Sequence, residues 1–390
     1  MRKTLLYLLF LSFIFSCNQK SDESESDQSG DLKNFTLEKL DSIQIEYLGN
    51  PIVHDIDPKS RMVLFMEFEE FSNDIMLTDF DGNIFNSFSK SGDVPDGFGG
   101  LLSPLMIDTD SSFLAFGYKG FNRYSFQGEL FSNVPLEDFK IPLFQRIAMG
   151  IELPKINENF LVADKGSREI DYDNIQDHLG IKHFNLFNPK TGGSEALIQF
   201  PESSIYKSGK YFYRFAWRPV YTIEHEKIYV VFGGEPTIYI YDGKKPFKLI
   251  SSIPIDLHNY QYFKGSDDKN LGHDFIGLFL SSGRIENIKK FGDNFLVSYF
   301  QGYEDVDREY FFANKTPDEA KKLRERLKEK YPFRLAIFDS LGNRLNDFVP
   351  EDLDPSSMII RDEQLWMMEK PDPDIEKEYF RLYKVGLKGG

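Results

Sequence analysis

The sequence predicts an all-β protein: a six-bladed β-propeller whose N-terminal strand completes the C-terminal blade, with one short helix in an insertion. Three observations predict it. Short apolar stretches of strand period recur through residues 42–385, bounded by turn residues. Glycine turns follow the third strand of each group, at Asp81-Gly82, Gln127-Gly128, Gly192-Gly193, Asp242-Gly243 and Gly342-Asn343. Five complete groups of four then leave three strands at the C-terminus and one at the N-terminus. A ring whose ends share a blade uses all of them and hides the strand edges that an open array exposes.

Taken in order, residues 42–47 (SIQIEY) alternate apolar and polar. The first blade follows at 52–56, 61–67, 74–79 and 84–88, with Asp79-Phe80-Asp81-Gly82-Asn83 as a hairpin turn in which Gly82 takes positive φ. The second is expected at 105–108, 113–118, 121–126 and 129–132, and the third, less regular, at 146–149, 159–164, 183–187 and 195–200. The fourth reads 219–224, 227–232, 237–241 and 247–252, and the fifth 285–291, 294–300, 333–339 and 344–349. Residues 358–361, 364–369 and 379–385 remain, and 42–47 supplies their missing edge partner. Between 301 and 332, Thr316-Pro317-Asp318-Glu319 provides an N-cap, a proline at the first helical position and a capping-box glutamate. The stripe Ala320, Leu323, Leu327 makes this a rim helix, with Lys321, Lys322, Arg324 and Lys328 on a solvated outer face.

Composition agrees. The 38 Phe and 20 Tyr are strand-preferring aromatics, and the single Cys excludes an internal disulfide. A formal charge of −16 argues against nucleic acid as a partner and describes an acidic, solvated exterior.

Residues 1–16 carry Arg2 and Lys3, then an apolar run from Leu5 to Phe15 that is too short to span a bilayer, which is the layout of a secretory signal. Ile14-Phe15-Ser16-Cys17 resembles a bacterial lipobox, which implies cleavage before Cys17 and lipid attachment to it. Two or more acyl chains would then hold the protein durably on a membrane. Residues 17–34, after the lipidated cysteine, form an acidic tether: 18–31 has no apolar residue and cannot bury surface. Its Lys20-Ser21-Asp22-Glu23 resembles the acidic signal that sends Bacteroidota lipoproteins to the cell surface. Residues 35–390 are expected to be a single propeller domain in the outer membrane's periplasmic or external space.

The signal with Cys17, the Asp79 to Gly82 turn followed by Ser91-Gly92-Asp93-Val94-Pro95-Asp96-Gly97-Phe98-Gly99, and the overall length resemble the six-bladed propeller lipoproteins of Bacteroidota. The likeness is greatest to the family known as domain of unknown function 4221. It covers nearly the whole chain and implies the fold; it implies no assigned activity.

In a propeller, the connections from the outermost strand to the next blade and from second to third strand share one face. The long connections, 89–104, 133–145, 165–182, 201–218, 253–284, 301–332 and the shorter 370–378, all fall there. Long loops on one side of a rigid scaffold are where binding sites gather. Candidate ligand contacts on this face are Asp93, Asp96 and Phe98, then Arg168, then Tyr206, Tyr213, Arg214, Trp217 and Arg218 from an aromatic and basic stretch, and His258, Tyr262 and His273. Aromatics of this kind stack on sugar or peptide groups while cations hold carboxylates; equally, they seal neighbouring blades.

No Gly-x-Ser-x-Gly elbow, phosphate-binding loop or dinucleotide fingerprint is present, and the histidines lack ligand spacing, so neither cofactor nor metal is implied. The reading is a lipid-anchored binding or scaffold propeller for an extracellular saccharide, peptide or protein. One alternative is a hydrolase or lyase acting on carbohydrate, with carboxylates and His258 or His273 converging near the axis. Another is a structural component of an envelope assembly, marked by an apolar rim patch.

Overall fold

A computed structural model describes residues 35–389 of the 390, apart from 68–73, 139, 143–145, 165, 167–170, 172–173, 373–374 and 376. The signal, Cys17, the tether and Arg168 therefore lie outside the described residues.

The first strand, β1 (Thr36–Glu46), belongs to the last blade. Blade 1 is β2 (Pro51–Asp57), β3 (Met62–Glu67), β4 (Asp74–Asp79) and β5 (Ile84–Ser89). Blade 2 is β6 (Met106–Thr109), β7 (Ser112–Gly117), β8 (Gly120–Ser125) and β9 (Leu130–Val134). Blade 3 is β10 (Lys155–Ile156), β11 (Asn159–Ala163), β12 (Phe184–Phe187) and β13 (Ser194–Leu197). Blade 4 is β14 (Pro219–Glu224), β15 (Lys227–Phe232), β16 (Thr237–Asp242) and β17 (Leu249–Pro254). Blade 5 is β18 (Arg284–Phe291), β19 (Asn294–Phe300), β20 (Arg334–Phe338) and β21 (Arg344–Phe348). Blade 6 is β22 (Ile359–Arg361), β23 (Gln364–Met368), β24 (Tyr379–Lys388) and, outermost, β1.

Six antiparallel sheets form a six-bladed ring, with first strands innermost and fourth strands exposed. Closure occurs where the two chain ends meet: Ile43 faces Leu382 and Ile45 faces Phe380 across an antiparallel ladder from Thr36 to Glu46. A separate apolar cluster fills each junction. Ile43, Ile45, Val53, Phe65 and Trp366 join blade 6 to blade 1, and Leu77, Phe98, Phe113 and Tyr124 join blades 1 and 2. Phe116, Phe121 and Phe160 join blades 2 and 3, and Phe184, Tyr206, Trp217 and Phe232 join blades 3 and 4. Tyr229, Phe295 and Tyr299 join blades 4 and 5, and Leu296, Leu335, Leu365 and Val385 join blades 5 and 6. The abundant aromatics thus hold blade to blade, each burying a large apolar area.

The turns work as their sequence suggests. In blade 1 one Asp79 carboxylate oxygen accepts from the amides of Asp81 (3.0 Å) and Asn83 (2.9 Å), and in blade 5 Asp339 does the same for Leu341 and Asn343 (both 2.9 Å). Gly82 has φ +84, and a Cβ there would lie 2.2 Å from the Gln44 carbonyl oxygen of the closing strand. Gly82→Ala is therefore expected to cost about 1–3 kcal/mol, from left-handed strain plus the displaced strand, read as a lower urea midpoint. An unchanged midpoint would mean that the turn and closing strand are not in register.

Two expectations are corrected. Residues 146–149 do not form the inner strand of blade 3; that strand is the short β10, and residues 146–154 instead run as a strap across the axis. Met149 from the strap is buried against Val53 and Ile359 at the junction of blades 6 and 1. Gly150 lies so close to blades 5 and 6 that a Cβ would sit 2.5 Å from both the Asn287 amide nitrogen and the Ser356 carbonyl oxygen. The second correction concerns helices. Besides the expected one, α4 (Pro317–Lys330), the described residues contain α1 (Ile175–Gly180), α2 (Phe275–Ser281) and α3 (Asp305–Phe312). In α4 the capping box is formed, Thr316 with Glu319, and Leu323 and Leu327 are buried with Phe300 and Tyr331. The helix α2 starts from an Asp274 cap that accepts the Gly277 amide at 2.8 Å.

Candidate functional site

The strap is held across the hole by charge. Lys289, on β18 and 1% exposed, donates to the Gly150 carbonyl oxygen at 3.1 Å and pairs with Glu152 at 3.0 Å. Glu152 also accepts the Ile360 amide of blade 6 at 3.3 Å. On the long-loop side of the strap lies a cavity of about 90 Å³, reached by the upper ends of β14 and β18 and by residues 162–164 at the end of β11. A second, of about 260 Å³, follows toward the opposite face, where His54, Asp55, Ile223 and Arg361 line it.

Charged groups of both signs line the first cavity: Arg146 and Arg218 with Glu152, Asp164 and Glu286. Arg146 from the strap lies 2.7 Å from Oε2 of Glu286, and Arg284 Nε donates to Oε1 of the same carboxylate at 2.6 Å. Arg284 sits between the rings of Phe279 (4.6 Å) and Phe300 (4.7 Å), and Arg218 lies over Phe279 at 5.6 Å. Burial alone would raise the Glu286 carboxyl, but Arg284, Arg146 and Arg218 together hold it below its usual range. Burial, reinforced by Arg146 and opposed by Glu286, brings the Arg218 guanidinium down to about 10. The neighbouring Tyr213 hydroxyl is pushed up to about 12 by burial, against the pull of Arg284 and Arg218.

Of the residues expected to contact a ligand, the structure brings Arg218 and Tyr213 to this centre. Tyr206, Tyr213 and Trp217 are all buried, at 2%, 4% and 5% exposure, so their rings are taken up by packing between blades 3 and 4. Phe98 (1% exposed) packs likewise between blades 1 and 2. Asp96 is paired with Lys90, and Asp93 is exposed. Arg214 is exposed, and Tyr262 stacks on Tyr260 with centroids 5.4 Å apart. His273 stacks on Phe312 at 3.6 Å. His258 lies beside Asp347 of the outermost strand of blade 5, its amide 3.2 Å from that carboxylate, so neither histidine reaches the axis.

Carboxylates do reach it. Asp55 accepts the Ile107 amide at 2.8 Å and lies 3.4 Å from Arg361; burial raises it to about 7 against the pull of that arginine. Of the residues missed from sequence, Arg146, Glu152, Arg284, Glu286 and Lys289, two carried a signal: Glu286 and Lys289 are charges set inside 285–291, a stretch otherwise patterned as an inner strand, where an axis-facing position accommodates them.

The buried histidines are structural. His54 accepts the Leu105 amide at 2.8 Å through Nδ1, His178 stacks on Trp217 at 4.3 Å and His183 lies 3.9 Å from the Phe200 ring centre. Burial lowers them to about 3, 4 and 3, with His178 adding to the effect on His183. A folded pKa below the unfolded value near 6.5 means stability present above pH 6.5 and lost as pH falls toward the folded values. Each such histidine is expected to remove about 2 kcal/mol between pH 7 and pH 5. Asp55, raised, works in the opposite sense between about pH 4 and 7. His183→Phe should flatten the acid-side fall in urea midpoint; an unaltered slope would refute a neutral buried imidazole at that position.

No family model matches the sequence, and no curated protein matches it. Solved structures do. A member of the DUF4221 family from Bacteroides vulgatus superposes with a TM-score of 0.65 at 12% identity, over 92% of this chain and 100% of that one. The fold is that of the DUF4221 protein. A Bacteroides fragilis protein matches at 11% identity and a TM-score of 0.49, over 91% and 96% of the two chains. The Pan2 WD40 domain of Neurospora crassa matches at 10% and 0.44, over 91% and 96%. The resemblance to domain of unknown function 4221 thus holds at the level of architecture, with blades, ring and length in common.

Proposed function

We infer that the protein is a lipid-anchored binding propeller of the cell envelope, taking an extracellular ligand on its long-loop face above the axis. One observation carries this reading: the long connections rise around an axial cavity edged by Arg146, Arg218 and Glu286, and the strap closes that cavity beneath. A ligand entering from this face stops at the strap and is held, with no passage through the ring. The axial acids favour holding over turnover, because Glu286, Glu152 and Asp55 each face a cation. Anchoring is supported by the signal-like residues 1–16, the lone Cys17 and the apolar-free tether.

Two experiments test this. Purified protein is exposed to glycan and peptide arrays and to thermal-shift screening. Saturable binding of a ligand recovered unchanged is expected; turnover that survives repurification would replace the reading with catalysis. Cells fed labelled fatty acid should label the protein, and Cys17→Ser should abolish the label.

A further inference from the structure

His178 and His183 stand where an apolar ring would ordinarily pack. Both are 2% exposed, and neither Nε2 has a hydrogen-bond partner among the described residues. A buried polar atom left unpaired is destabilising, and phenylalanine would fill the space without that penalty. What imidazole adds is a response to acid. His178 is the buried residue of α1: its ring lies flat on Trp217 (4.3 Å, 15° between planes), with Phe200 at 5.6 Å and Phe212 at 5.8 Å edge-on. His183, just before β12, lies against Phe200 and, at 5.0 Å, Phe232. Its carbonyl accepts the amide of Asp164, which lines the cavity above the strap, and its own amide donates to the Ile198 carbonyl (both 2.8 Å). Both α1 and the Asp164 edge of the cavity are thus tied to the junction of blades 3 and 4 through these two residues.

Among the described residues, no charged group on the packed elements contacts either ring. Asp177 and Lys182, on the same segment, are exposed, and Asp164 accepts from the Gly166 amide (3.0 Å) and Asn185 (3.3 Å). Along 198–218, Lys207 pairs with Glu202 and Lys210 with Asp267, the Tyr206 hydroxyl donates to the Ala216 carbonyl, Arg214 is exposed and Arg218 lies over Phe279. Beyond Phe232, Glu235 accepts from the Ser204 and Tyr239 hydroxyls. We propose that α1 is an acid-released clasp on the long-loop face: protonation of His178 and His183 undocks residues 174–183 from Trp217 and Phe200 while the six blades stay folded, and loosens the Asp164 edge of the cavity. This goes beyond the binding reading and does not depend on it. Burial holds His178 at about 4 and His183 at about 3, the latter reinforced by His178. Undocked, each returns toward the ordinary 6.5, so docking is intact above pH 6.5 and weakens as pH falls toward the docked values. The junction itself survives release, because Tyr206, Trp217 and Phe232 still pack on Phe200.

The test is amide hydrogen exchange on the purified protein at pH 7 and pH 5, read by mass spectrometry and corrected for the intrinsic pH dependence of exchange. The reporting amides are those of Asp164, His178, Ile181 and His183, each hydrogen-bonded within this unit. Their protection is expected to fall about 25-fold between the two pH values if one histidine is released and several hundredfold if both are. Amides of β3 and β19, in the middle of blades 1 and 5, should keep theirs. His178→Phe, which preserves a ring on Trp217 and removes one proton site, should bring the fall down to the single-histidine size. If that variant does not fold, the contrast between 174–183 and the central strands of the natural chain decides. Unchanged protection of 174–183 at pH 5 overturns the proposal. So does a fall shared equally by all blades, which is global unfolding, and so does an undiminished several-hundredfold fall in His178→Phe. No ligand enters the measurement, so its failure leaves the binding reading standing.

Discussion

Replacing both Ile43 and Ile45 with alanine is expected to cost about 4 kcal/mol or more, because each is a core side chain whose truncation typically costs about 2–5 kcal/mol. Ile43 is 2% exposed and Ile45 is 0% exposed, and both belong to the cluster that joins blade 6 to blade 1. They sit on the outermost strand of their sheet, where residues are ordinarily exposed; the alternating burial of β1 arises because these two positions turn inward against Phe380, Leu382 and Phe65. Weakening them attacks the ring at its closure, and it should expose the edge of β24 to pairing with other chains. Urea unfolding measures the first effect and light scattering the second. Leu40→Ala, 55% exposed on the same strand, is the control and should change stability by less than about 1 kcal/mol. A double variant no less stable than this control would show that closure does not depend on β1.

Lys289→Met is expected to destabilise the protein by up to about 3 kcal/mol, since it leaves the Gly150 carbonyl and the part-buried Glu152 (20% exposed) without their cation. Lysine at 1% exposure survives only because the Gly150 carbonyl and the Glu152 carboxylate both receive its protons. Methionine fills the same volume, so the loss reports charge and hydrogen bonding rather than a cavity. Combining Lys289→Met with Glu152→Gln should recover a good part of the loss, giving a coupling of about 1–3 kcal/mol between the two sites. Additive losses, or a single-variant cost under about 1 kcal/mol, would mean that the strap is held by other contacts.

Blade number and closure were legible in the sequence because they depend on local chemistry that repeats. Asp79 and Asp339 organise equivalent turns, strand alternation marks the buried faces, and Thr316 with Glu319 announces a helix start. The strap was not legible, because Arg146-Ile147-Ala148-Met149 alternates like a strand. What prevents it from being one is tertiary: Met149 is claimed by blades 6 and 1, and Gly150 by blades 5 and 6. The aromatic and basic stretch 206–218 divides between packing and the cavity. Its rings fill the junction of blades 3 and 4, and of this stretch only Arg218 lines the cavity. The remaining charges of the site lie far apart in the chain, from 146 to 289, and only ring closure brings them together.

The ladder between β1 and β24 has a consequence for biosynthesis. β1 has no docking partner until β24 has emerged, so the five complete blades encoded between them are translated with the latch undone. Any product that stops short of Tyr379 lacks the receiving strand, and quality-control proteases would meet it as a permanently unfastened ring.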